Sequence, residues 1–416
     1  MDFRLTEEQK SLKALAREFC KREVPGGPIA TWREIMAKRN AVSMEDRVPW
    51  EWMRKLYKAG FKQLTAPEKY GGVGAGALTA FVVAEELTRL GGAIGIVARQ
   101  FFSSWEYLAS IANEKQQDEF FPQVMNNPDF IFASAQSEGE AFGDVILPYD
   151  EPGAVMKTFA YRDGNEYVIN GEKQWCTGGA VADLMVLHAR TDKNAPISQA
   201  QSMFFVLPKE MPGISVVRNN DIFCPHFLPI TTLHFDNVRV PLHHLAGEEN
   251  KGWGFMWRGV FRQALALYAN DIGQAQALYE TVRDYAKQRI GGGKPIIEHG
   301  NVGPLIAEMA VTIEAARLLC YRGCQRLDDQ YDTGGPQGGE GISFVIDTTR
   351  FYVIQAMVRV CQIAAEVLAA FGATGEAPLE VFLLRTYGFY HAEGTPFFRL
   401  YKAARRVDDF LPTGYD

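Results

Sequence analysis

Apolar residues recur at spacings of three and four from Leu5 to about Met125, as in Leu12, Leu15, Ala16 and Phe19. Between about Ile131 and Phe235 they fall into short alternating runs, and from Gly252 onward they return as long helical stripes. A period of 3.6 does not suit a strand, nor a period of two a helix. The order therefore confines the chain to an α+β fold in three parts. We expect a helical N-terminal domain over residues 1–130, a middle β domain (barrel or sandwich) over 131–250 and a C-terminal helical bundle over 251–416. With 416 residues, more than one core is expected.

Local signals sharpen this outline. "DRVPWEWMRKLYKAG" reads as a helix ended by Gly60, and "ALTAFVVAEELTRLGG" as one ended by Gly91 and Gly92. "RDGNEYVINGEKQW" reads as a hairpin turning at Asp163-Gly164. "GWGFMWRGVFRQALALYANDIGQAQ" keeps Trp253, Trp257, Val260, Ala264, Leu267 and Ile272 on one side of a long helix. Two more long helices follow, Val302 to Asp329 and Ile342 to Phe371.

The formal net charge of −7 argues against a nucleic-acid surface, which needs a basic footprint. The six cysteines lack ligand spacing. Cys320 and Cys324 lie in an apolar helical run and read as reduced core residues, which fits a cytoplasmic location. The first twenty residues form an amphipathic pattern rather than a leader, and no segment reads as the roughly 18 uncharged apolar residues of a membrane span.

Three stretches carry candidate chemistry. In "QWCTGGA", Trp175 and Thr177 alternate around Cys176 and share a face, offering an aromatic wall and a hydroxyl to a planar ligand; a core Trp beside a strand-forming Thr is the plainer reading. In "SAQSEGEAFGD", Ser137 offers a donor and the following turn offers backbone amides to phosphate, against the alternative of a surface loop. In "FYHAEGTPFF", Glu393 lies at the end of a helical run, where the helix dipole disfavours an acid. "GGVGAGA" lacks the spacing of a dinucleotide fingerprint, and "GGGKP" that of a phosphate loop. His243 and His244 read as loop residues rather than ligands, so no metal is expected.

Taken together, "PEKYGGVG", "SEGEAFGD", "NGEKQWCTG", "FDNVRVPLHHLAGEENKGW" and "AEGT" resemble, in order along the chain, the motifs of the acyl-CoA dehydrogenase family. The resemblance implies FAD held between the β domain and the helices, usually in a homotetramer or dimer of dimers. It implies oxidation of an acyl-CoA thioester to the 2,3-enoyl-CoA, with electrons passed to an electron-transfer flavoprotein. By resemblance Glu393 is the base that takes the α-proton while hydride leaves the β-carbon for flavin N5. Phe389, Tyr390, Phe397 and Phe398 would desolvate its carboxylate and raise its pKa. A free amide at Gly394 is expected beside the thioester carbonyl. Trp175 would cover the flavin, and Ser137 and Thr177 would donate to its edges. Arg289, Gly372 and Thr395 occupy further cofactor-binding positions of the family.

The sequence departs from the family pattern at several of these contacts. Gly139, Phe142 and Gly143 stand in the phosphate-side loop, Gly292 replaces a Phe after Arg289, and Ala369 replaces a Gln. Arg99 falls on the helix that supplies polar groups to a substrate's distal carboxylate in glutaryl-CoA dehydrogenases, which suits a dicarboxylic acyl group, against the reading of a solvated or salt-bridged Arg. The abundant aromatics and the small residues around Gly91 to Gly95 suit a bulky or aromatic group, so an acyl group of the benzylsuccinyl-CoA type meets both hints. Two alternatives share the fold: a flavin-dependent monooxygenase, which would not need Glu393, and a catalytically silent CoA-binding or subunit-partner paralogue.

Overall fold

The computed structural model describes residues 4–139 except 40 and 42, 154–332 except 225, 340–391 and 394–410. Glu393, Phe142 and Gly143 lie outside the described residues, as do the other residues from 140 to 153.

Six helices open the chain: α1 (Glu7–Glu23), α2 (Gly27–Lys38), α3 (Trp50–Lys58), α4 (Ala77–Gly91), α5 (Ala93–Ile111) and α6 (Glu114–Asn126). Local chemistry sets their ends. Thr6 with Gln9 and Asn113 with Gln116 form capping boxes at the starts of α1 and α6, each satisfying two orphan amides. Gly60 turns left-handed at φ 84° after α3, and Gly92 at φ 58° separates α4 from α5. The "PEKYGG" turn is closed so tightly that a Cβ on Gly72 would meet the Ala66 carbonyl oxygen at 2.0 Å.

The middle region is one mixed sheet of eight strands: β1 (Phe132–Ala135), β2 (Phe159–Asp163), β3 (Glu166–Thr177), β4 (Leu184–Arg190), β5 (Gln201–Val206), β6 (Ile214–Asn219), β7 (Ile230–Pro241) and β8 (Leu245–Ala246). The order is β6-β7-β3-β2-β4-β5-β8, with β1 parallel to β4. The hairpin joins β2 to β3 with Asp163 opposite Glu166 and Gly164 at φ 62°. Strand β5 is buried along its whole length, and β4 from Leu184 to Ala189, so both lack the alternation of a half-exposed strand.

Five helices complete the chain: α7 (Gly252–Gln288), α8 (Gly303–Asp332), α9 (Glu340–Gly372), α10 (Leu379–Gly388) and α11 (Pro396–Ala404). The sequence suggested a one-sided stripe for α7, yet every residue from Ala264 to Ala275 is buried. The reason is its position: α4, α5, α8 and α9 all pack on it. Its interior polar residues find partners, Asn270 on Thr88 (2.6 Å), Asp271 on Arg350 (2.6 Å) and Gln274 on Thr386 (3.3 Å).

The reading that no segment is apolar enough to cross a membrane needs correction. Residues Ile342–Gly372 of α9 meet that test by length and composition. The helix packs on α7, α8 and α11, and 56% of its most apolar stretch is buried, so core packing accounts for that composition. All six cysteines are free and buried, Cys320 and Cys324 among them.

Candidate active site

Where α5, β1, β3, the first half of α7 and the end of α10 converge, they enclose a cavity of about 650 Å³. Arg99, Ser137, Trp175 and Thr177 all line it, although 78 residues separate the first from the last. His391, two positions before Glu393 in sequence, lines it as well.

Trp175 is held there by an irregularity in the sheet. The β3–β7 register shifts between Lys173 and Cys176, and Trp175 takes φ 62°, a left-handed conformation unfavourable for a bulky L residue. Its indole stays 51% exposed at the cavity while Cys176 turns into the core. Strain of this kind persists only where the surroundings enforce it. The neighbouring backbone does so, because the Gln174 amide donates to the Ser137 carbonyl at 2.8 Å, tying the segment after β1 to β3.

A buried ion pair fixes the same junction. Lys173 Nζ meets Glu138 Oε1 at 2.9 Å and donates to the Gln136 carbonyl at 3.0 Å. Glu138 also accepts from the backbone amides of Lys157 (2.7 Å) and Thr158 (2.9 Å). Burial alone would raise the Glu138 carboxyl, but Lys173 and these amides outweigh it and hold the carboxyl below its ordinary value. No local pattern announces this pair, whose members lie 35 residues apart.

Behind the cavity-lining Phe389 lie two buried cations. Arg385 is buried beneath Phe389, its guanidinium 3.1 Å from the ring centroid, and burial lowers its pKa to about 10. Neither Nη1 nor Nη2 of Arg385 has a hydrogen-bond partner among the described residues. Arg350 pairs with Asp271 at 2.6 Å and donates to the Phe389 carbonyl at 3.1 Å. His226 stacks on Phe389 with centroids 5.6 Å apart and planes 7° from parallel. Burial first, then Arg385, pushes its pKa down to about 3, so its imidazole is neutral at physiological pH. The sequence reading missed His226, Met256, Trp257 and Gln263, all of which line the cavity. A lone loop His, two apolar helix positions and a single helical Gln carry no local signal of a site.

The other expected site residues are not among those that line the cavity. Arg289 caps the C-terminal end of α7, about 33 Å along the helix from Leu267 of the cavity wall at 1.5 Å per residue. Tyr285 stacks on Phe371 at 5.1 Å, which brings Arg289 and Gly372 to one patch remote from the cavity. The amide of Gly394 is not free: at φ 99° it donates to the His391 carbonyl at 3.1 Å, closing a turn. Thr395 is the N-cap of α11, its hydroxyl oxygen accepting from the Phe398 amide at 3.1 Å. Phe397 is 78% exposed, so it does not desolvate its neighbours as the aromatic run suggested.

Family models described as the N-terminal, middle and C-terminal domains of acyl-CoA dehydrogenase match residues 6–127, 151–238 and 250–407. The chain is 28% identical over 398 residues to a glutaryl-CoA dehydrogenase of Desulfococcus multivorans, covering 95% of each. It is 30% identical over 318 residues to the mitochondrial 2-methylacyl-CoA dehydrogenase of Solanum tuberosum, covering 76% of this chain and 72% of that one. A solved glutaryl-coenzyme A dehydrogenase in complex with glutaryl-CoA superposes with a TM-score of 0.82 at 25% identity, over 99% of this chain and 98% of that one.

Proposed function

The chain belongs to the acyl-CoA dehydrogenase family, and from that premise we propose that it dehydrogenates a bulky or dicarboxylic acyl-CoA at its α and β carbons, passing the electrons to an electron-transfer flavoprotein. It is an oxidoreductase acting on acyl-CoA, and its cofactor is FAD. The observation that carries the substrate reading is the meeting of Trp175, Thr177, Ser137 and Arg99 in one cavity.

The residues present fit a flavin. Trp175 offers an exposed indole face held by a strained backbone, and Thr177 and Ser137 offer half-buried hydroxyls beside it. When bound, FAD supplies the two-electron acceptor. Glu393 takes the α-proton as general base, in a sequence position between cavity-lining His391 and the left-handed turn at Gly394. Neutral His226 and the Phe389 ring give the acyl chain a flat apolar wall, with the Arg385 charge behind it.

Arg99 on the cavity wall, with the Arg385 charge behind Phe389, supports a second carboxylate on the acyl group. The likeness to glutaryl-CoA dehydrogenase supports the same reading. Arg99→Ala should lower kcat/KM for a dicarboxylic acyl-CoA by about 10- to 100-fold more than for its monocarboxylic analogue, the worth of a charge-assisted hydrogen bond. Equal losses on both would remove the dicarboxylate.

We propose a homotetramer as the working assembly. Arg289 and Gly372 sit far from their own chain's cavity, as residues serving a neighbouring subunit's cofactor must. Arg289→Ala should retain less FAD after gel filtration at low protein concentration, while its chain fold, read by circular dichroism, stays unchanged. Full FAD retention would show that no subunit draws on that arginine.

A further inference from the structure

We propose that Glu119, His243 and His244 form a site for a zinc-class divalent cation that clips the N-terminal helices to the middle sheet. The three side chains offer a carboxylate oxygen and two imidazole nitrogens, all within 4.8 Å of one another. His244 Nε2 lies 3.2 Å from Glu119 Oε1, and His243 Nε2 lies 3.6 Å from Glu119 Oε2.

The hydrogen bonds fix which nitrogen is free to ligate. His244 Nδ1 faces the Phe205 carbonyl at 3.0 Å, and a carbonyl oxygen only accepts, so Nδ1 carries the proton. Nε2, the remaining ring nitrogen, points at Glu119 Oε1, so it and the carboxylate face one point from opposite elements. A backbone carbonyl holding the second imidazole nitrogen is also the usual outer support of a metal-bound histidine.

The site is braced on both sides. Gln116, one helical turn before Glu119 on α6, donates to the carbonyls of His243 (2.7 Å) and Leu245 (2.8 Å). The Phe120 ring meets His244 edge-on at 5.2 Å. With metal–ligand bonds of about 2.0–2.1 Å, tetrahedral ligands stand roughly 3.3 Å apart, so the exposed side chains of His243 and Glu119 need to close by at most about 1.5 Å. Two His, one Glu and a water make a set suited to zinc rather than magnesium. None of the three residues lines the large cavity, so the ion's role is structural, joining α6 to the β7–β8 connection. The six thiols, all buried, do not compete for it in the folded chain.

The test is calorimetric titration of the tag-free, FAD-loaded protein with zinc chloride, and with magnesium chloride as control. The expected result is one zinc per chain, no magnesium binding at the same concentrations, and a Tm that rises with zinc. His243→Ala and Glu119→Gln, both exposed positions whose loss spares the fold, should each weaken zinc binding by at least about 100-fold and abolish the Tm rise. Zinc binding of unchanged affinity in both variants would place the ion elsewhere, and absence of binding to the unmodified protein would overturn the site.

Discussion

Glu393→Gln is expected to fold, to hold FAD and to lose about 10²- to 10⁴-fold in kcat, the range a positioned general base contributes. The amide keeps the shape of the side chain and removes its ability to take a proton. Binding of the thioester should survive, because the cavity walls supplied by Trp175, Phe389, His226 and Arg99 are untouched. The loss should therefore appear in the rate of flavin reduction at saturating substrate, with KM changing little. Rapid-mixing kinetics separates the two. A variant that reduces its flavin at the parent rate would mean that another group takes the proton.

Lys173→Met is expected to destabilise the protein by about 3–5 kcal/mol, because it strands the Glu138 carboxylate without its cation in a site closed to water. The segment from Gln136 to Glu138 loses its side-chain tie to β3 at the same time and keeps the Gln174–Ser137 backbone bond, so Ser137 and the strained Trp175 should be held less firmly and FAD affinity should fall. Lys173→Met combined with Glu138→Gln should recover part of the stability, since the uncompensated charge is gone; denaturation midpoints of the single and double variants provide the check. The pair also has a pH signature. The folded-state pKa of Glu138 is depressed, so its stabilisation is fully present above the ordinary value of 4.5 and is lost as pH falls through the folded-state value. Acid unfolding of the parent should therefore begin below that range, and Glu138→Gln should remove this component of the acid transition. An unchanged acid transition in that variant would contradict the assignment.

The layers of the fold were legible because each region keeps one hydrophobic period, and the "DG" hairpin because its turn chemistry is local. Burial on all sides of α7 was not legible: Asn270, Asp271 and Gln274 interrupt the apolar pattern, and their partners come from helices distant in sequence. Within the site, Trp175 and Thr177 could be read from strand alternation, but the bulge that strains Trp175 depends on register with β7. Of the four aromatics flanking Glu393 in sequence, Phe397 is turned into solvent by helix α11, which the aromatic run alone did not reveal. Lys173 with Glu138, Arg350 with Asp271 and His226 stacked on Phe389 are pairings made by tertiary contact, and no window of sequence contains them.

The most direct measurement is anaerobic mixing of the FAD-loaded protein with a panel of acyl-CoA thioesters while flavin absorbance is followed. The account predicts stoichiometric bleaching by a bulky or dicarboxylic thioester, with matching 2,3-enoyl-CoA formed. Flavin that stays oxidised with every thioester, yet is bleached by dithionite, would contradict it.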